Sequence, residues 1–197
     1  MWIKICGMTT PAAVDAALAA GVDAIGFVFA ASVRELTPAA ASALARPARG
    51  RVRCVAVTHH PTQHAVDEIV REFAPDLLQS DAEDFAPLRL PATLETLAVV
   101  RAGDSLPAAL PARLLFEGPA SGRGQLTDWS AAAELARRTE LILAGGLSEA
   151  NVAAALERVR PFGVDVSSGV EEQPGVKDPA SIFRFVAAVR AAGAISL

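Results

Sequence analysis

Asp23-Ala24-Ile25-Gly26-Phe27-Val28-Phe29 is a short run in which odd and even positions alike are apolar once the aspartate is passed. Successive side chains of a strand point to opposite faces, so this run needs cover on both. That is the condition of a strand in a parallel sheet overlaid by helices, not of a sheet with one wet face.

The same pairing of a short apolar run with an Ala-rich amphipathic stretch recurs along the chain. Strands are expected at Trp2 to Cys6, Asp23 to Phe29, Val52 to Val57, Asp76 to Gln79, Leu94 to Val99, Leu114 to Glu117, Leu141 to Ala144 and Gly163 to Val166. Helices are expected at Pro11 to Ala20, Pro38 to Ala45, Pro61 to Phe73, Ser130 to Arg138, Ser148 to Arg158 and Pro179 to Ala192, with weaker helical signals after Gln79 and Val99. An internal echo supports repetition: Ala13 to Phe27 and Asn151 to Ser167 both read helix, turn, Gly-Val-Asp, strand.

About eight β-then-α units is the number that closes a barrel, so the expected fold is α/β, a parallel eight-stranded (β/α)8 TIM barrel. A doubly wound open sheet competes, but no Gly-x-Gly-x-x-Gly follows the first strand. At 197 residues, 52% hydrophobic and 20% charged, the chain suits one well-buried core, a single domain spanning 1–197.

With 18 basic and 22 acidic side chains the formal charge is -4, which speaks against a nucleic-acid partner. The opening Met1-Trp2-Ile3-Lys4-Ile5-Cys6 enters a strand without a basic-then-apolar leader, and the longest nearly apolar stretch, Ala24 to Val33, is too short to cross a bilayer. No membrane association and a cytoplasmic location are therefore expected. The two cysteines, Cys6 and Cys54, have neither metal-knuckle spacing nor disulfide density, in keeping with a reducing compartment. Neither a metal site nor a disulfide staple is expected from them.

In such a barrel the reacting groups sit at the carboxyl ends of the strands and in the loops after them. Cys6 ends the first strand before a glycine, where an inward thiolate can act as a base; the alternative is a buried strand cysteine. Alternation puts Lys4 on the same face as Cys6, and an inward lysine needs a partner. Closure makes the last strand the neighbour of the first, so Asp165 is the expected partner. Gly145-Gly146 and Ser168-Gly169 end the last two strands, where backbone can approach a phosphate, although tight turns alone also call for glycine.

A long loop, Gly118 to Ser130, follows the sixth strand and is expected to close over the mouth. It ends in Asp128, which reads as a general acid, a helix cap, or both. Arg34, after the second strand, can clamp a carboxylate in bidentate fashion, though a surface arginine is often only solvated. His59, His60 and His64 lack a cysteine or carboxylate cluster nearby in sequence and read as surface residues.

Lys4-Ile5-Cys6-Gly7-Met8-Thr9, Gly21 to Phe29, Leu143-Ala144-Gly145-Gly146-Leu147, Gly163-Val164-Asp165-Val166-Ser167-Ser168-Gly169-Val170-Glu171 and Pro174-Gly175-Val176-Lys177-Asp178 together resemble the phosphoribosylanthranilate isomerase family, in register from first strand to last helix. The resemblance implies an aldose-ketose isomerase of tryptophan biosynthesis, working without cofactor on a small phosphorylated sugar-anthranilate adduct, as a monomer or homodimer. It implies Asp128 as the acid that opens the furanose ring and Cys6 as the base that takes the proton from the second sugar carbon. It further implies Arg34 near the anthranilate carboxylate, phosphate on the loops of Gly145, Gly146, Ser168 and Gly169, and Asp165 close by.

The chain departs from the family pattern in three places. The fourth strand ends Leu78-Gln79-Ser80-Asp81 where the family has Gln-Leu-His-Gly. The sixth loop reads Ser121-Gly122-Arg123-Gly124 and Thr127-Asp128-Trp129 in place of Gly-Gly-Thr-Gly and Phe-Asp-Trp, and the second loop lacks Ser-Pro-Arg. Two rival readings follow: an isomerase that also takes the histidine-pathway ribonucleotide, against which Cys6 speaks because those enzymes pair two aspartates, and a non-catalytic sugar-phosphate-binding barrel.

Overall fold

Threonine and proline decide where several outer helices begin. Thr10, Thr37 and Thr62 each turn a side-chain oxygen back to an N–H three residues on, satisfying a donor the first helical turn leaves without a partner. Pro11 and Pro38 occupy the first helical position, where a missing N–H costs nothing. The structure, a computed structural model, describes residues 1–107, 109–118 and 127–195.

In chain order the elements are β1 (Trp2–Cys6), α1 (Pro11–Ala20), β2 (Ala24–Val28), α2 (Pro38–Ala45), β3 (Arg53–Val57), α3 (Gln63–Glu72), β4 (Leu77–Asp81), β5 (Glu95–Arg101) and β6 (Arg113–Glu117). They continue with α4 (Trp129–Ala136), β7 (Glu140–Leu143), α5 (Val152–Val159), β8 (Gly163–Val166), the hairpin strands β9 (Glu171–Gln173) and β10 (Val176–Lys177), and α6 (Pro179–Ile195). Strands β1 to β8 pair in parallel with their neighbours, and β8 pairs back onto β1, closing the barrel. No helix among the described residues is long and apolar enough to cross a membrane.

The differences from the sequence reading have local causes. α3 starts at Gln63 rather than Pro61 because Thr62 is its cap. α5 starts at Val152 rather than Ser148 because the Asn151 side chain accepts from Ser148 N and donates to Gly146 O, holding residues 148–150 in a turn. After β4 only a 3-10 turn, Ala82–Phe85, forms, and no helix links β5 to β6 among the described residues, so the weak helical signals there yield loops. The internal echo falls out of register: Gly21-Val22-Asp23 precedes β2, whereas Gly163-Val164-Asp165 is β8 itself.

Alternation divides the strand side chains into two cores. Ile3, Ile5, Ile25, Phe27 and Leu114 face outward and pack with helix residues such as Val14, Val66, Ile69 and Phe185. Val55, Leu97, Val99, Leu115 and Ile142 fill the barrel, with Trp2 packed against them. Lys4, fully buried, stands among the inward positions in register with Asp165, and Nζ lies 2.9 Å from Oδ1. Gly26, paired beside them on β2, leaves them room: a Cβ there would lie 3.0 Å from Cys6 Sγ and 3.2 Å from Lys4 Cε, so these side chains would have to shift by a few tenths of an ångström.

A buried pair adds little net stability over an apolar substitute, whereas a lone buried charge is costly. Lys4→Met alone is therefore expected to lose about 3–5 kcal/mol, and Lys4→Met with Asp165→Leu to recover most of it in denaturant unfolding. A single variant as stable as the parent would remove the pair from the closure of the barrel.

Candidate active site

A cavity of about 950 Å³ opens at the carboxyl ends of the barrel strands, within the range of small-ligand pockets. Cys6, Arg34 and Asp165 of the predicted set line it, together with Ser167 and, across the mouth, Gln79, Asp81, Arg101 and Glu117. Cys6 is 8% exposed. Beyond it the chain turns sharply: Gly7 has φ +80, and the N–H groups of Gly7 and Met8 both donate to Gly26 O at 2.9 Å.

Burial pushes the Cys6 thiol above the usual thiol range, and the Lys4 and Lys177 ammonium groups only partly oppose it. Burial also works to lower Lys4, but the Asp165 carboxylate and Cys6 outweigh it and hold the ammonium charged. A thiolate at Cys6 thus has a fixed cation beneath it on the same strand face, where proton removal leaves charge to be stabilised.

Arg34 is not merely solvated. Its Nε and Nη2 donate to Glu171 Oε1 and Oε2, both at 2.7 Å, and its side chain is 12% exposed. Lys177 Nζ donates to Glu171 Oε1 at 2.6 Å and to both oxygens of Ser167 at 3.1 Å. Although burial opposes ionisation, Arg34 and Lys177 hold the Glu171 carboxyl down to about 2. The aliphatic stem of Arg34 passes over Gly7, where any Cβ would meet Arg34 Cδ at 2.5 Å. Glu171 engages one edge of the guanidinium fork and leaves the Nη1 side for a second carboxylate. Glu171 and Lys177 had been read only as parts of a motif; β9 and β10 bring them to Arg34 across 137 residues of chain for Glu171.

Gly145 and Gly146 are left-handed, with φ of 89 and 66. Gly169 packs so closely on Leu147 O that no side chain fits, which makes the turn after β7 and the 3-10 turn Ser168–Val170 one continuous surface. The N–H groups of Gly145, Gly146, Ser168 and Gly169 belong to the turns that follow β7 and β8 at this end of the barrel. Such converging donors are what a phosphate group requires. These four residues do not line the main cavity but sit at the same end of the barrel.

Asp128 is the N-cap of α4: Oδ1 accepts from Ser130 N at 2.9 Å and Ala131 N at 3.2 Å. Oδ2 makes no hydrogen bond to the described residues, and Asp128 does not line the cavity. Residues 119–126, most of the loop expected to close over the mouth, lie outside the described residues.

The opposite wall corrects the reading of the histidines. His59 and His60 are half-exposed, as expected, but carboxylates do lie beside them. Register explains this: β3 pairs β4 with Val57 opposite Gln79, so two residues on His59 meets Asp81, at 2.9 Å from Nδ1 to Oδ2. Asp81 Oδ1 is 2.6 Å from Arg101 Nη1, and Arg101 Nε is 3.2 Å from Glu117 Oε1.

The family model of N-(5'-phosphoribosyl)anthranilate (PRA) isomerase matches residues 3–188. A curated N-(5'-phosphoribosyl)anthranilate isomerase from Rhizobium etli is 40% identical, covering 98% of this chain and 95% of its own. Among solved structures, TrpF from Jonesia denitrificans is 36% identical with a TM-score of 0.82, covering 98% of both chains. A phosphoribosyl anthranilate isomerase in complex with reduced 1-(o-carboxyphenylamino)-1-deoxyribulose 5-phosphate is 25% identical with a TM-score of 0.78, covering 97% of this chain and 99% of that one. The chain belongs to the N-(5'-phosphoribosyl)anthranilate isomerase family.

Proposed function

We propose that this chain catalyses the Amadori rearrangement of N-(5'-phosphoribosyl)anthranilate to 1-(2-carboxyphenylamino)-1-deoxyribulose 5-phosphate in tryptophan biosynthesis, with Asp128 as acid and Cys6 as base. The observation that carries the reading is the placement of Cys6 at the mouth of a closed barrel, over the Lys4–Asp165 pair and beside the braced Arg34, in a member of this family. The chain acts as one catalytic domain in the cytoplasm, as a monomer or homodimer, with no nucleic-acid or membrane partner.

The phosphate of the substrate takes the N–H groups of Gly145, Gly146, Ser168 and Gly169, which fixes one end of the sugar. The anthranilate carboxylate takes the free side of Arg34, whose other side Glu171 holds in place. Asp128, through Oδ2, gives a proton to the ring oxygen; the C1'–O bond breaks and the nitrogen lone pair forms an iminium. Cys6 thiolate removes the proton from C2', and the electron pair of that bond neutralises the iminium to give an enolamine, which tautomerises to the ketone. Asp165 holds Lys4 beneath the sulfur throughout.

Generating phosphoribosylanthranilate in situ and following the loss of its anthranilate-type fluorescence tests this. The parent is expected to remove it far faster than the spontaneous background, and Cys6→Ala and Asp128→Ala each to lose about 10²–10⁴-fold in kcat while remaining folded. Full activity in either variant removes that residue from the mechanism, and a parent that binds a product analogue without turnover is a binding barrel instead.

Glu171→Gln frees Arg34 to swing, so KM is expected to rise about tenfold, equivalent to about 1.4 kcal/mol, with a smaller change in kcat; Arg34→Ala should raise it at least as much. An unchanged KM in Glu171→Gln rejects the bracing role.

A further inference from the structure

The wall of the cavity formed by β3 and β4 carries a second constellation that the rearrangement does not use. His59 Nδ1 and His60 Nε2 both face Asp81 Oδ2, at 2.9 and 3.8 Å, and the three side chains offer ligand atoms all within 4.8 Å of one another. Two ligands on a tetrahedral zinc ion, each about 2.0–2.2 Å from the metal, stand about 3.3 Å apart. The observed spacings straddle that value.

The groups behind these three are arranged as metal sites require. Asp84, 8% exposed, accepts from His60 Nδ1 at 2.7 Å, from His60 N at 3.0 Å and from Ser80 Oγ at 2.5 Å. A carboxylate on one ring nitrogen fixes the proton there and leaves the other, His60 Nε2, as a lone-pair donor toward Asp81. The backbone of His60 is left-handed, φ 47, and the two neighbouring rings lie tilted by 36° with centroids 4.0 Å apart. Arg101 bonds the other oxygen of Asp81, orienting the carboxylate with Oδ2 toward the imidazoles, and the charge of Arg101 is itself offset by Glu117.

A further observation points to a polar ligand in this half of the cavity. Gln79, one inward position before Asp81 on β4 and 7% exposed, lines the cavity, and its buried Oε1 has no hydrogen-bond partner among the described residues. Buried acceptors are rarely left in that state. On β4, Ser80 supports Asp84 and Asp81 supplies the ligand oxygen, so neighbouring residues serve the same cluster.

We propose that His59, His60 and Asp81 form a binding site for one divalent transition cation of the zinc, cobalt or nickel class at the mouth of the cavity. Two imidazoles and one carboxylate are the ligand set of an open zinc site, and a three-ligand set leaves at least one coordination position facing the cavity. Protons compete with a metal ion for the imidazole nitrogens, which bind metal only in the neutral form. Metal binding therefore weakens on acidification.

Titration of the untagged full-length protein with Co²⁺, followed by visible absorption and by calorimetry with Zn²⁺, tests the site. One equivalent is expected, with cobalt d–d bands and no thiolate charge-transfer band, and affinity lower at acid than at neutral pH. His60→Ala, at an exposed position that leaves the core intact, should lose at least tenfold in affinity, as should Asp81→Asn. Asp84→Asn should lose about 10–100-fold, and His64→Ala, outside the cluster, should bind as the parent does. No binding by the parent, equal binding by folded His60→Ala, or a thiolate band that vanishes with Cys6→Ala would each overturn the assignment.

Discussion

The ion pair between Lys4 and Asp165 is the constraint from which the rest of the site follows. It lies inside the barrel with side-chain exposures of 0% and 9%, across the seam where β8 returns to β1. Neither charge tolerates that position without the other, so the pair selects the one register of β1 on β8 that lets them meet. It is also eased by the glycine at position 26 on β2, where a Cβ would press on Lys4 and Cys6. The outcome is a sulfur at the mouth of the barrel with a fixed cation under it, in a site too dry to favour a thiolate unaided.

Around that centre the mouth divides into two halves with different electrostatic character. On the β8–β1–β2 side a chain of charges runs from Lys177 through Glu171 to Arg34, each ion bonded to the next and little exposed to water. On the β3–β6 side acids predominate: Asp81, Asp84 and Glu117 surround Arg101 and the paired histidines. The first half suits an anionic substrate held at a carboxylate and a phosphate; the second suits a cation. The two meet across one cavity.

The parallel barrel was legible because its strands are apolar on both faces, and that pattern survives any uncertainty about helix ends. Lys4 and Asp165 were legible as partners because closure is a topological rule rather than a contact. The brace on Arg34 was not: nothing in a single arginine says that an acid 137 residues away will meet it, and only the antiparallel β9–β10 pairing brings Lys177 to that acid. The histidines were misread for a similar reason. The nearest carboxylates are distant in sequence but adjacent in the β3–β4 register, 22 residues on for His59 and Asp81. Asp128 was legible as a cap, and the cap is what the structure displays; its acid role rests on the family likeness and on an oxygen left over.

The central claim is that a buried, cation-supported Cys6 thiolate takes the proton, and the dependence of kcat/KM on pH tests it most directly. Because the thiol is held above its usual range, kcat/KM is predicted to climb from neutral into alkaline pH as the thiolate forms, with the climb lost in Cys6→Ala. A profile flat across that interval, or a climb that persists without the cysteine, would contradict the account.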